Sequence, residues 1–183
     1  NTADPRKYQF FAKFDWPRVS NPGLRFPVTD AEIARVQAAE AQTLAEVKAA
    51  FSANKDDIAA ILLEPIQAEG GDNHFRKEFL VALKALAHEN DALIIWDEVQ
   101  TGIGITGSMW AHQAIGVDAD LVAFGKKMQV CGCMAGGRID EEPDNVFHMK
   151  SRINSTWGGN LVDMVRCEKY LQIIEEEKMV ENA

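Results

Sequence analysis

The sequence has little of what a membrane span or a nucleic-acid-binding surface requires. Its longest apolar runs, 58–63 and 92–96, have the length of strands, whereas a helix that crosses a bilayer needs about 20 apolar residues. Lys and Arg number 19 against 28 Asp and Glu, so the net charge is -9. Because the basic residues are also scattered along the chain, binding to a phosphate backbone is disfavoured. We therefore expect neither a membrane nor a nucleic acid as a partner.

Cysteine is also scarce. The three cysteines, Cys131, Cys133 and Cys167, cannot all pair, and one glycine separates the first two. A disulfide framework is disfavoured, which favours a reducing compartment and predicts a cytoplasmic location. The cysteines lack paired CxxC spacing, and the four histidines form no HExxH pattern. We therefore predict no metal site and expect buried or half-buried thiols.

The two ends of the chain differ in pattern from its middle. Residues 1–28 contain four prolines and several aromatic residues with little periodicity, which predicts an irregular segment lying on a larger domain. Residues 29–183 are predicted to be part of that domain. The sequence opens at Asn1 without an initiator Met or a signal-peptide pattern, so we expect a central fragment of a longer protein.

Strands and helices alternate in the predicted domain. Apolar runs predict buried strands, and spacings of three and four residues between apolar positions predict helices. The predicted order is a helix from a Thr29–Glu32 capping box to about Ser52, strand 58–63, helix 75–90, strand 92–96, a short helix 109–114 and strand 121–124. This order predicts an α/β fold, with a mostly parallel central sheet and flanking helices.

Polar side chains follow the predicted strands, where ligands bind in sheets of this kind. Asp97 ends one buried strand, so its carboxylate needs a cationic or hydrogen-bonding partner there, although a structural cap would also explain it. Lys126 and Lys127 follow the next strand. An amine on a short turn is a candidate for Schiff-base chemistry, and two solvated surface lysines are the alternative.

The glycines at 102, 104 and 107 match the GxGxxG pattern of dinucleotide-binding turns. In such turns the glycines follow the strand directly and open a full helix. Here 97–101 intervene and the following helix is short. An enzyme that uses a nicotinamide cofactor is kept only as a third alternative.

Three ordered stretches, 96–107, 120–127 and 154–160, carry a family resemblance. Together they closely resemble the ω-aminotransferases (class-III aminotransferases), which use pyridoxal 5'-phosphate and have the aspartate-aminotransferase-like fold of type I pyridoxal-phosphate enzymes. The resemblance extends over nearly the whole chain. Within the family it is strongest to the branch that acts on the ε-amino group of L-lysine, followed by the branch that acts on 4-aminobutyrate.

The resemblance implies a role for each matching residue. Lys126 matches the lysine that forms the Schiff base with the cofactor and then moves the proton between substrate and cofactor. Asp97 matches the aspartate that pairs with the pyridine nitrogen. Val99 would pack on the ring face, and Gln100 would reach the phenolic oxygen.

Two further residues match positions that extend the site. Thr156 matches a residue that binds the cofactor phosphate from the neighbouring subunit, which implies a homodimer with shared active sites. Glu69 matches a switch glutamate that contacts the substrate, pairing with an arginine when an ω-amine is bound.

The implied reaction moves the ε-amino group of L-lysine to 2-oxoglutarate, giving 2-aminoadipate 6-semialdehyde and glutamate. The partners are therefore an amino acid and a 2-oxo acid. Two alternatives remain at this point. The first is that the protein is another ω-aminotransferase, acting on 4-aminobutyrate or ornithine. The second is that the chain is a non-catalytic, truncated segment.

Overall fold

The computed structural model describes residues 4–153 and 155–183. Its α-helices are α1 (Pro5–Tyr8), α2 (Asp30–Ala53), α3 (Lys77–Glu89), α4 (Ala111–Ile115), α5 (Leu161–Glu176) and α6 (Met179–Asn182). Its strands are β1 (Ala60–Leu63), β2 (Ile66–Gln67), β3 (Asn73–His74), β4 (Leu93–Asp97), β5 (Leu121–Phe124) and β6 (Gly132–Ala135). Short 3-10 turns cover Lys126–Met128 and Gly137–Glu141.

The main sheet has the strand order β1-β4-β5-β6. β1, β4 and β5 are parallel, and β6 pairs with β5 in the antiparallel direction. Strands β2 and β3 form a small antiparallel pair of their own. The predicted fold class, an α/β domain with a mostly parallel sheet and flanking helices, is confirmed.

The core lies between α3 and the sheet. Apolar residues of α3 recur every three or four positions and are buried as one face of the helix. Leu80 of this face and Ile94 and Trp96 of β4 are fully buried. The Trp96 indole Nε1 donates to the carbonyl oxygen of Val117 at 2.9 Å, so its polar atom is satisfied inside the core. This packing fixes β4, the strand that ends at Asp97.

Helix α2 begins as predicted, but its capping box is only half formed. The main-chain N–H of Glu32 donates to Thr29 Oγ1 at 3.2 Å, as in a capping box. The Glu32 carboxylate does not return to Thr29 but accepts from Arg25 N and from the Arg35 guanidinium. These bonds, above all that to Arg35, lower the pKa of Glu32 to about 2.

The first strand is shorter and more open than predicted. It begins at Ala60 instead of Ile58, and Leu62 is 43% exposed. A strand buried on both faces was therefore the wrong expectation for this run. The physical reason is position, because β1 is an outer strand of the described sheet and pairs only with β4 there.

The expectation that the cysteines are buried or half-buried was also wrong for two of the three. Cys131 and Cys133 are exposed and only Cys167 is buried. Cys133 belongs to β6, all four residues of which are exposed because this strand is the other outer strand of the described sheet. Among the described residues, no group of three His, Cys, Asp or Glu side chains could hold a metal ion.

Two further observations concern the whole described chain. None of its helices combines the length and the apolar character that crossing a membrane would require. Within the described part of the first 28 residues, α1 is followed by a stretch without helix or strand. The division into a 1–28 segment and a 29–183 domain stays a prediction.

Candidate active site at the carboxyl ends of the parallel strands

Three charged side chains follow neighbouring parallel strands at the same edge of the sheet. Leu63 pairs with Trp96, so Glu64 emerges beside Asp97. Asp97 in turn pairs with Ala123, three residues before Lys126. Because parallel strands end at the same edge, the register alone brings these two carboxylates and one amine to a common place.

Both lysines of the turn after β5 bind Gln100. The Lys126 Nζ donates to Gln100 Oε1 at 2.5 Å, and the Lys127 Nζ donates to the main-chain carbonyl oxygen of Gln100. Lys126 is exposed, whereas Lys127 is half-buried. Burial, and then the positive charge of Lys126, lower the pKa of Lys127. The two amines therefore differ in access, and Lys126 is the one that a ligand can reach.

The turn that carries Lys126 is tightly constrained. Lys126 has a φ of 47°, in the left-handed region that non-glycine residues rarely adopt. At the preceding Gly125 a side chain would require Cys131 to shift, because a Cβ there would lie 2.9 Å from Cys131 Sγ. Left-handed conformations of this kind are kept where the surrounding structure enforces them, and they concentrate at functional sites.

Asp97 and Val99 lie beside that turn. Asp97 is half-buried, and its Oδ1 accepts from the main-chain N–H of Val99 at 3.1 Å. Val99, in the turn that follows β4, approaches Gly125, since a Cβ on Gly125 would lie 3.6 Å from Val99 Cγ1. The structure thus brings together four of the six predicted site residues, namely Asp97, Val99, Gln100 and Lys126.

Glu64 is half-buried at the same edge and orders the loop that follows β1. Its Oε2 accepts from Ala68 N at 3.3 Å. Burial raises the pKa of Glu64, and the negative charge of Asp97 adds to this effect, while the Ala68 hydrogen bond and the charge of Lys126 oppose it. Glu64 therefore lies within electrostatic reach of both Asp97 and Lys126.

The remaining two predicted site residues are more exposed. Glu69 forms an ion pair with Lys7, which lowers the pKa of Glu69, and the charge of Lys126 acts on it in the same direction. Thr156 lies in an exposed turn before α5. Asn154, which opens the third stretch of the resemblance, lies outside the described residues. The roles of Glu69 and Thr156 stay predictions.

Sequence reasoning did not single out Glu98 or the bond between Lys127 and Gln100. Glu98 is fully buried among the site residues, between Asp97 and Val99. A charged residue directly after a buried strand could have drawn attention to it. Its partners could not be found in this way, because they lie in α4, more than ten residues further along the chain.

Comparison with known proteins places this chain in a family. The family model described as aminotransferase class-III matches residues 7–183. The L-lysine-epsilon aminotransferase of Streptomyces clavuligerus is 54% identical over 96% of this chain, which covers 38% of that relative. The human mitochondrial 4-aminobutyrate aminotransferase is 36% identical over 93% of this chain and is covered to 34%.

A solved structure gives the same result. The lysine aminotransferase from M. tuberculosis, solved in the internal aldimine form, superposes with a TM-score of 0.92 at 52% identity, covering 98% of this chain and 41% of that one. This chain is a class-III aminotransferase sequence. It spans about two fifths of the length of these lysine aminotransferases.

The donor set suits the cofactor that class-III aminotransferases use, pyridoxal 5'-phosphate. The accessible primary amine of Lys126 suits the aldehyde group of this cofactor, because amines react with aldehydes. A half-buried carboxylate, Asp97, suits a protonated ring nitrogen, and Val99 offers an apolar surface to a flat ring. The residues at the strand ends therefore fit the ring and its aldehyde, and Thr156 is the predicted contact for the phosphate.

The raised pKa of Glu64 predicts a pH-dependent stability difference. The folded state holds the Glu64 proton more tightly than the unfolded state, so this residue makes folding less favourable as pH rises above 4.5, the ordinary pKa of a glutamate. Glu64→Gln keeps an acceptor for Ala68 N but cannot ionise. We expect the free energy of unfolding of this variant, relative to that of the unsubstituted protein, to be larger at pH 7 than at pH 4, as measured by urea unfolding, because only the unsubstituted protein loses stability as the pH rises.

Glu69→Gln is the control. The Lys7 ion pair lowers the pKa of Glu69, so the pH dependence of the stability difference has the opposite sign for this residue. Its effect should be small, since this pair is exposed. A Glu64→Gln difference that is the same at both pH values would show that Glu64 ionises as freely in the folded state as in the unfolded one.

Proposed function

We propose that the protein transfers the ε-amino group of L-lysine to 2-oxoglutarate with pyridoxal 5'-phosphate as cofactor, giving 2-aminoadipate 6-semialdehyde and glutamate. The observation that carries the proposal is the accessible Lys126 amine, held by Gln100 beyond β5 and beside Asp97 at the end of β4. The choice of lysine rests on the relatives, since proteins named lysine aminotransferases share more than half of their aligned residues with this chain.

When bound, the cofactor supplies an aldehyde for amines and an aromatic ring that accepts electrons from the substrate carbon that loses a proton. Lys126 supplies the amine for covalent attachment. Gln100 fixes the position of the Lys126 Nζ through a 2.5 Å hydrogen bond. The Lys126 amine would also serve as the group that takes up and returns the substrate proton.

Asp97 and Val99 orient the ring. The Asp97 carboxylate would keep the ring nitrogen of the bound cofactor protonated, which would strengthen the ring as an electron acceptor. Its Oδ1 accepts from the main-chain N–H of Val99 at 3.1 Å, so the carboxylate is fixed relative to the backbone that carries the apolar side chain. Lys127 binds the Gln100 carbonyl and so steadies the residue that holds Lys126.

Glu69 is the proposed substrate contact. It is exposed beyond the strand ends and already pairs with a cationic group, that of Lys7. Both partners of this ion pair are accessible to solvent, so exchanging Lys7 for another cation has a low cost. A carboxylate that changes partners in this way suits an enzyme that takes an amine in one half-reaction and a dicarboxylate in the other.

We further propose a homodimer in which Thr156 serves the active site of the neighbouring subunit. The segment around Thr156 supports this arrangement, because the first turns of α5, which follow it directly, expose Leu161, Val162 and Val165 to 80%, 65% and 66%. Apolar surface of this kind marks an interaction site. A cytoplasmic location stays part of the proposal, and the free cysteines are compatible with it.

Lys126→Ala should abolish covalent attachment of the cofactor, whereas Lys127→Ala should keep it, because the Lys127 amine is half-buried. Activity of Lys126→Ala should fall at least about a hundredfold, the lower end of what a general acid-base group contributes. The measurement is borohydride reduction in the presence of pyridoxal 5'-phosphate, followed by peptide mass spectrometry. Labelling of another lysine, or of none, would favour a non-catalytic segment over the proposed enzyme.

The amino donor is tested with a panel of ω-amines. We expect kcat/KM for L-lysine to exceed that for 4-aminobutyrate and for L-ornithine by at least about tenfold, the ratio that 1.4 kcal/mol of differential transition-state binding produces. The measurement uses the longest natural protein that carries this sequence, with 2-oxoglutarate as acceptor. A preference for 4-aminobutyrate or ornithine would leave the reaction type standing and overturn the proposed substrate.

Shared active sites are tested by mixing two inactive variants. In a hybrid dimer of Lys126→Ala and Thr156→Ala subunits, one site receives both substitutions and the other receives neither, provided that Thr156 acts across the interface. The hybrid should therefore regain up to about half of the unsubstituted activity, since one of its two sites is intact. If Thr156 acts within its own subunit, both sites carry a substitution and the hybrid stays inactive.

A further inference from the structure

Glu98 is a buried carboxylate inside the segment that forms the proposed ring-binding site. Its side chain is 0% exposed, and it stands between Asp97 and Val99. Removing a carboxylate from water is costly unless hydrogen bonds or opposite charge compensate it. The chain therefore keeps this carboxylate buried by supplying specific partners.

Those partners come from the start of α4. Glu98 Oε2 accepts from Ala111 N at 2.6 Å, and Glu98 Oε1 accepts from His112 N at 2.8 Å. The His112 Nδ1 lies 2.7 Å from the same Oε1. The Thr101 hydroxyl lies 3.5 Å from Oε2. Glu98 thus satisfies two N–H groups at the start of α4, those of Ala111 and His112, from a position 13 residues before Ala111.

The main chain of Glu98 is fixed as well. Its N–H donates to the Ala123 carbonyl at 2.9 Å, which continues the pairing of β4 with β5 by one residue. Its carbonyl accepts from Gly102 N at 3.0 Å and closes the turn that contains Val99 and Gln100. Both the backbone and the side chain of Glu98 are therefore anchored, at the point where the strand becomes the site.

This anchoring determines which way the neighbouring side chains point. Side chains alternate along the strand, so a Glu98 side chain directed toward α4 leaves Asp97 facing the opposite way. Val99 and Gln100 lie in the turn that the Glu98 carbonyl closes, so this anchored turn sets their positions. Among residues 97–101, Val99 has the side chain closest to Gly125, the residue directly before Lys126. Gln100 follows and meets both lysines.

We propose that Glu98, held by His112 and the first turn of α4, is a positioning residue that fixes Asp97, Val99 and Gln100 relative to Lys126. Glu98 touches none of the reacting atoms. This inference rests on the proposed function, because the segment it positions is the one proposed to hold the pyridoxal 5'-phosphate ring.

The test is Glu98→Gln, which keeps the shape of the side chain. Its amide group would face N–H groups that now donate to a carboxylate, so at least one donor would lose its acceptor. We expect the Kd for pyridoxal 5'-phosphate to rise about tenfold, the ratio corresponding to the loss of one buried hydrogen bond. We also expect the visible circular dichroism of the bound cofactor to weaken, at temperatures well below unfolding.

Asp120→Asn is the matched control. Asp120 is also a buried carboxylate that accepts a main-chain bond, from Ile94 N at 2.7 Å, and lies 2.9 Å from a histidine ring nitrogen, His88 Nε2. It lies at the opposite end of β5 from Lys126. The substitution should lower the melting temperature, as Glu98→Gln does, while the Kd and the circular dichroism of the bound cofactor stay as in the unsubstituted protein.

Equal losses of melting temperature in the two variants, with an unchanged Kd and spectrum in Glu98→Gln, would overturn the positioning role. If Glu98→Gln does not fold, His112→Asn replaces it. This substitution removes the ring from Glu98 Oε1 but keeps both main-chain donors, and a Kd within about twofold of the unsubstituted value would then overturn the proposal. Cofactor attachment in the unsubstituted protein distinguishes failure of the Glu98 role from failure of the proposed function. If the unsubstituted protein does not attach pyridoxal 5'-phosphate at Lys126, the proposed function itself is refuted.

Discussion

The parallel alignment of β1, β4 and β5 is the constraint on which the site depends. Residues 63 and 96 are paired, and so are 97 and 123. Glu64, Asp97 and Lys126 therefore leave the sheet at one edge although they are far apart in sequence. A shift of one residue in either pairing would turn the following side chains to the other face of the sheet. The buried core of α3 and β4 holds this register in place.

The site divides its charged groups by access to water. The amine proposed to react, that of Lys126, is exposed and held by a side-chain hydrogen bond to Gln100. The groups that surround it are more enclosed, from half-buried Asp97 and Lys127 to fully buried Glu98. Such a division suits covalent chemistry with an incoming carbonyl compound, since the nucleophile must move while the groups that orient the ring must not.

Local patterns predicted most of the helices and parallel strands, to within about two residues at their ends. Strand β5 and the start of α2 were predicted most closely, because an apolar run and a Thr29 cap are signals carried by adjacent residues. Antiparallel β6 was not predicted. It is short and lies among glycines without an alternating apolar pattern, and it is a strand only because it pairs with β5. The exposure of Cys131 and Cys133 was missed for the same reason.

By itself, the sequence determined the alternation of strands and helices and the identity of the polar residues at the strand ends, because both depend on neighbours along the chain. The tertiary structure decided which of these residues meet. It gave Lys126 and Lys127 different environments, joined both to Gln100, and buried Glu98 against α4. These relations arise from pairing and packing between segments more than ten residues apart, which no local periodicity encodes.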